Sequence, residues 1–222
     1  MKFNLKEDVE SGMKEYPSLH LSNKDGKLIV QGIFTAHKGK IEIEDYELEI
    51  SFPPKYPYDL PTVIETNEKI PRTVVRHVFS DTNSLCFGNP QDVFRVCKNG
   101  ITFTFFLEKI LNPHLCREYV REIQKSYPTG ERSHANKGNE GIWEGYYEIF
   151  NTYDKSWILN ELYQMLSHTL YAKNQQCYCN SGKKYKRCHL LKEPCVFDIG
   201  RPNVRKLHAI LQKDYQVNLN NE

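Results

Sequence analysis

No run of residues in this chain is apolar enough, over enough length, to span a bilayer, and the opening "MKFNLKEDVESGMKEYP" lacks the apolar core of a signal peptide. A cytoplasmic protein without a membrane partner is therefore expected. An excess of one charge is also missing. The 30 Lys and Arg stand against 28 Asp and Glu, a formal net charge of +2, which makes nucleic acid an unlikely partner. There is no Gly-rich phosphate-binding loop, so a nucleotide-binding site of that kind is not expected. No internal repeat or low-complexity tract is present, which excludes solenoids and arrays. What remains is ample for a core, since 39% of the 222 residues are hydrophobic and 12% aromatic. Such a length suits one large domain, or a domain with a small appendage. Seven cysteines in a reducing compartment read as thiols, metal ligands or reagents, not as a disulfide framework.

The spacing of apolar residues orders the chain. Asn4 to Glu15 has loose helical spacing and predicts a leading helix. "GKLIVQGIFTA" and "KIEIEDYELEISF" alternate with period two around a short polar "HKG", and "TVIET" follows as a third strand. Between the last two, Pro53, Pro54, Pro57 and Pro61 cannot donate to a ladder, so that segment leaves the sheet as a stiff loop. The chain is expected to stay irregular through "GNPQDVFRVCKNG". It should turn helical over Thr102–Leu111 and, after Pro113, over His114–Lys125. A Gly-rich connector, "YPTGERSHANKGNEG", precedes two more helices, "IWEGYYEIF" and "DKSWILNELYQMLSHTLYAK". A cysteine cluster and a terminal helix, Asn203–Tyr215, end it. The fold class is α+β, with an antiparallel meander sheet flanked by helices.

This order, with "SFPPKYPYDLPTVIET" and "SLCFG", resembles the core of a ubiquitin-conjugating (UBC) enzyme over residues 1–125. The first stretch is similar to that family's "FPxxYPxxPPxVxF" crossing and the second to its active-site strip. His77 takes the place of the histidine in the family's His-Pro-Asn tripeptide, while Val78 and Phe79 replace the proline and asparagine. The tryptophan-proline pair after the cysteine is absent as well. These departures fit the prokaryotic relatives found in conjugation and anti-phage (CBASS) operons. "GERSHANKGNEGIWEGYYEIF" resembles the segment that follows the core in those relatives.

The resemblance implies that Cys86 carries the C-terminal tail of a donor protein as a thioester and passes it to an amine. The donor would be a ubiquitin-like protein or a cyclic-oligonucleotide synthase, with an activating enzyme upstream where one is used. An unperturbed cysteine is only a few per cent thiolate at neutral pH. Positive charge from Arg76, His77 or Arg95 would raise that fraction. The competing reading makes Cys86 core filler between Leu85 and Phe87. His77 either polarises the thioester carbonyl or braces the loop through backbone bonds. Asn83 can replace the lost amide and Asp81 can orient the amine, but both residue types equally suit a turn. Cys97 lies in the loop after Cys86. Cys116 is expected in a helix facing the core, and Cys195 is expected to be buried.

"CYCNSGKKYKRCH" places Cys177, Cys179, Cys188 and His189 at spacings that make a tetrahedral zinc cage of three sulfurs and one imidazole. It resembles the SEC-C motif, with Asn180 in place of its first glycine. Four filled positions mean a structural zinc with no open site for substrate. Three thiolates and a neutral imidazole around a dication leave a net charge of minus one, which Lys183, Lys184, Lys186 and Arg187 offset. Domain boundaries are expected at 1–125 for the UBC-like core, 126–175 for a helical extension, and 176–222 for the knuckle and terminal helix. The expected function is acyl transfer in anti-phage defence, with the knuckle docking a partner. A non-catalytic adaptor of the same fold is the alternative, and a zinc-dependent nucleic-acid binder is disfavoured by the small net charge.

Overall fold

The computed structural model describes residues 3–125, 139–167, 172–179 and 181–219. Its contacts divide the chain into two units, Met1–Gly88 with Val96–Glu131, and Asn89–Arg95 with Arg132–Glu222.

The first unit opens with α1 (Leu5–Gly12), whose N-terminus is capped by the Asn4 side chain accepting from the amides of Lys6 and Glu7. Four strands follow, β1 (Leu19–Lys24), β2 (Lys27–Lys38), β3 (Ile41–Ser51) and β4 (Thr62–Glu65). They form an antiparallel meander in the order β1-β2-β3-β4. The three expected strands are present and β1 is added to them. His37 and Lys38, expected in the connection, still pair with β3, which leaves a tighter turn at Gly39. Opposite the start of β1, Gly32 of β2 has φ +131, and a Cβ there would lie 2.1 Å from the Ser18 carbonyl oxygen. Only glycine permits that approach.

The meander's inner face follows the period-two pattern. Val30, Phe34 and Ala36 of β2, Tyr46, Leu48 and Ile50 of β3, and Val63 of β4 are all buried. A helical layer covers this face, made of α3 (Phe103–Phe106), one π turn (Leu107–Leu111) and α4 (Asn112–Gln124). The expected break at Pro113 does not occur. Proline removes one amide and clashes with the carbonyl four residues back, and the wider turn beside it absorbs both defects. Asn112 at this junction spans to the β2 bulge at Ala36/His37. Its Oδ1 accepts from the His37 amide at 2.8 Å and its Nδ2 donates to the His37 carbonyl at 2.9 Å. Two backbone groups that the bulge takes out of the ladder are thereby satisfied.

The stretch expected to be irregular contains α2 (Pro90–Cys97). Asn89 accepts from the Asp92 amide at 2.9 Å and Pro90 fills the first helical position, a start signal that reads equally as a turn. Asn89–Arg95 belong to the second unit. That unit also contains α5 (Glu140–Phe150), α6 (Lys155–Ser167), α7 (Glu193–Val196) and α8 (Arg201–Leu219). Most of the expected Gly-rich connector and positions 168–171 of the expected helix lie outside the described residues, while Ala172 and Lys173, expected to end that helix, are not helical. The core here joins Trp143 and Tyr146 of α5, Ile158, Leu162 and Met165 of α6, and Val204, Leu207 and Leu211 of α8. Trp143 also donates its indole N–H to Asp214 of α8 at 2.9 Å. Among the described residues no helix is long and apolar enough to cross a membrane.

Arg76 ties the segment that leads into the cysteine strip to the helical layer. Its guanidinium donates to Glu118 and to Glu122, each at 2.9 Å, and the Glu118 side chain is 1% exposed. Removing one partner of a buried ion pair strands the other charge in a poor solvent. Arg76→Ala is expected to destabilise this unit by about 3 kcal/mol. Chemical denaturation followed by circular dichroism measures it, and a midpoint equal to wild type would contradict the assignment.

Candidate metal centre and cysteine strip

The knuckle is built by a short hairpin. Gln176 and Lys184 form an antiparallel bridge, the Cys177 amide donates to the Lys183 carbonyl at 2.8 Å, and the Tyr185 amide donates to the Gln175 carbonyl at 2.9 Å. Gly182 takes the left-handed position of the turn, φ 74. Two single 3-10 turns follow, Tyr185–Arg187 and His189–Leu191, and Cys188 lies between them. Asn180 lies outside the described residues.

The four expected ligands converge, one donor atom from each lying within 4.8 Å of the others. Cys179 Sγ is 3.6 Å from Cys188 Sγ, and His189 Nδ1 is 3.1 Å from Cys177 Sγ and 3.4 Å from Cys188 Sγ. Ligands about 2.0–2.3 Å from a tetrahedral zinc stand roughly 3.3–3.8 Å from one another. The cluster therefore has both the donor set and nearly the dimensions of a zinc cage. The other face of the imidazole, Nε2, meets the carboxylate of Glu161 on α6, with both side chains buried.

The thiols of the cluster differ in their environments. Burial pushes Cys177 up to about 11. Burial also pushes Cys179 up, but hydrogen bonds from the Ser181 hydroxyl and amide and from the other thiols outweigh it and hold it at about 7. Lys183, Lys184, Lys186 and Arg187 are all exposed around the site, where they can offset its negative charge.

Residues 174–191 match the SEC-C motif, a zinc-binding type. No curated protein and no solved structure matches the chain.

The cysteine strip lies in the first unit. Val78 and Leu85 form an isolated antiparallel bridge, and the Cys86 amide donates to the His77 carbonyl at 2.5 Å. The Leu85 amide donates to Val63 of β4 at 2.8 Å, which hangs the strip on the sheet edge. His77 and Cys86 are thus brought opposite each other. Asp81 lies exposed in the turn between them, and Asn83 has φ 56, a left-handed conformation that asparagine tolerates.

His77 is buried, with φ 53 and its ring edge-on to His114 at 5.9 Å. Cys86 is half-buried, and its thiol lies 3.6 Å from the Gly88 carbonyl. Burial raises its pKa, with the Gly88 backbone pulling the other way. Two of the cations expected to activate it are engaged elsewhere, Arg76 with Glu118 and Glu122, and Arg95 with Asp92 and Asp198. The other cysteines correct three expectations. Cys97 ends α2 and is buried, Cys116 is only partly buried, and Cys195 is exposed. Glu161, in contact with His189, is not among the expected site residues; its signal in the sequence is a lone acid among the apolar positions of α6.

One zinc per chain is expected by elemental analysis. Cys188→Ser is expected to lower zinc content and to lower the melting temperature of the second unit, leaving denaturation of the first unit close to wild type. A metal-free preparation that melts like the native protein would rule the site out.

Proposed function

We propose that the first unit is a UBC-like acyl transferase with Cys86 as its carrier thiol, working in the cytoplasm in anti-phage defence. The observation that carries this reading is the strip itself. A half-buried thiol follows a bridged turn, Val78 to Leu85, that hydrogen-bonds to the edge strand β4 downstream of the proline-rich crossing, the order of parts that the resemblance of residues 1–125 to UBC cores implies. The Cys86 thiolate would attack the activated C-terminal carbonyl of a donor protein, forming the C–S bond as the activating group leaves with the electron pair. A substrate amine would then attack the thioester carbonyl, the C–S bond breaking with its electron pair on sulfur and the amine's proton passing to the departing thiolate or to solvent, giving an amide and the free thiol. The donor would be a ubiquitin-like protein or the tail of a cyclic-oligonucleotide synthase, delivered by an activating enzyme where one is used. Asp81, exposed in the turn, would orient the amine, and the Asn83 side chain would stand in for the absent amide. In the second unit, Cys177, Cys179, Cys188 and His189 would hold a structural zinc that crosslinks the knuckle, which serves partner docking.

The raised pKa of Cys86 favours one second reading, a non-catalytic adaptor that keeps the fold. A covalent adduct separates the two. Incubation with the activated cognate donor should give a conjugate that thiol reductants cleave. Cys86→Ala should abolish it and Cys97→Ala should not. Because burial shifts the Cys86 thiol upward, its thiolate is scarce below the ordinary cysteine range. Adduct formation should therefore keep climbing as pH passes about 8.5. Loss of the adduct in Cys97→Ala, with retention in Cys86→Ala, would sink the assignment.

His77 has the burial of a brace. His77→Ala is expected to lower the stability of the first unit, and His77→Gln to recover part of it. A rate loss on the order of a hundredfold at native stability would instead make His77 a donor to the oxyanion.

A further inference from the structure

The imidazole of His189 is held from two sides. Nδ1 faces the sulfurs, and Nε2 faces Glu161, whose side chain is 3% exposed. We propose that Glu161 is a positioning residue for the metal, its carboxylate accepting the Nε2–H of His189 and so fixing the tautomer that presents the Nδ1 lone pair to zinc. A neutral imidazole has one N–H and one lone pair, and the partner of one nitrogen decides the role of the other. With Nδ1 turned to the sulfurs, Nε2 is the nitrogen left for the ring hydrogen, and it lies in contact with the Glu161 carboxylate. Zinc-bound histidines commonly have such an outer partner.

Glu161 lies on the buried face of α6, with Tyr178 of the knuckle also within electrostatic reach. Its neighbours on α6, Ile158, Leu162 and Met165, are fully buried and apolar. A charge among them is costly unless it is paired. The same contact bolts the knuckle to the helical core, so loading of the metal and packing of α6 become one equilibrium. None of this depends on the chemistry of Cys86.

The test uses the full-length protein, with zinc and cobalt(II) as probes. Zinc affinity is measured by competition with a chelating dye for wild type, Glu161→Gln and Glu161→Ala. Glu161→Ala is expected to weaken binding about 10–100-fold. Glu161→Gln keeps an acceptor oxygen and should lose less. Cobalt-loaded variants should retain the absorption of a three-sulfur, one-nitrogen site, showing the same ligands held less well. A purely structural carboxylate would lower the stability of zinc-loaded and zinc-stripped protein alike and leave the affinity unchanged, which overturns the proposal. If Glu161→Ala does not fold, nitrogen NMR of the wild-type His189 ring decides. Protonated Nε2 with metal-bound Nδ1 supports the assignment, and metal-bound Nε2 overturns it.

Discussion

The knuckle has almost nothing to bury, and that constraint governs the second unit. Between Ala172 and Leu191 most described residues are exposed, and the fully buried ones are Cys177, Tyr185 and His189. Two of those three belong to the converging Cys/His cluster. Apolar packing cannot hold a segment of this composition, so its conformation depends on what draws three sulfurs and an imidazole together. A dication does so by converting mutual repulsion of thiolates into attraction, and the binding energy becomes folding energy. His189 touches Glu161 of α6, next to a helical core that packs by ordinary means, Trp143, Leu162 and Leu207 among its members.

The first unit has the opposite economy, a good core with polar exceptions at its joints. Asn112 supplies the two hydrogen bonds that the β2 bulge forgoes. Glu65 is 4% exposed, and its carboxylate accepts from the amides of Asn67 and Ile70 at the end of β4. Arg76 joins the strip to α4 through Glu118. Each buried polar group answers a backbone or charge that would otherwise be unsatisfied, and leaving one unmade costs more than making it contributes. These joints lie next to the bulge, the crossing and the strip, where the chain departs from regular ladders.

Legibility in the sequence followed the same division. β2 and β3 are plain because Val30, Phe34, Ala36, Tyr46, Leu48 and Ile50 alternate over long strands. β1 is not, because only Leu19 in it is buried and an edge strand needs little more. α2 was hidden by Asn89-Pro90, which marks a turn and a helix start alike. Pro113 pointed to a break because a proline's cost is local, whereas its remedy, a π turn, depends on packing that one sequence does not display. The zinc ligands were readable because metal geometry imposes spacing on the chain itself. Glu161 and His189 lie far apart in sequence, and no spacing rule connects them.

The cysteines show how far residue type falls short of role. Cys177, Cys179 and Cys188 differ from the rest by converging; Cys97 is buried and Cys195 exposed. Cys86 shares its half-buried state with Cys116 and is set apart by its place after the Val78–Leu85 bridge beside β4. On the reading of Cys86 as an acyl carrier, its raised pKa acts in two directions. It makes thiolate scarce, so acylation must draw on an activated donor more than on an activated thiol. Yet a thiol of higher pKa is the more nucleophilic once ionised and the slower leaving group. The thioester would then form from a reactive donor and persist until an amine is correctly placed, which suits a carrier better than a hydrolase. The same burial that argues against easy ionisation thus argues for retention of the acyl group.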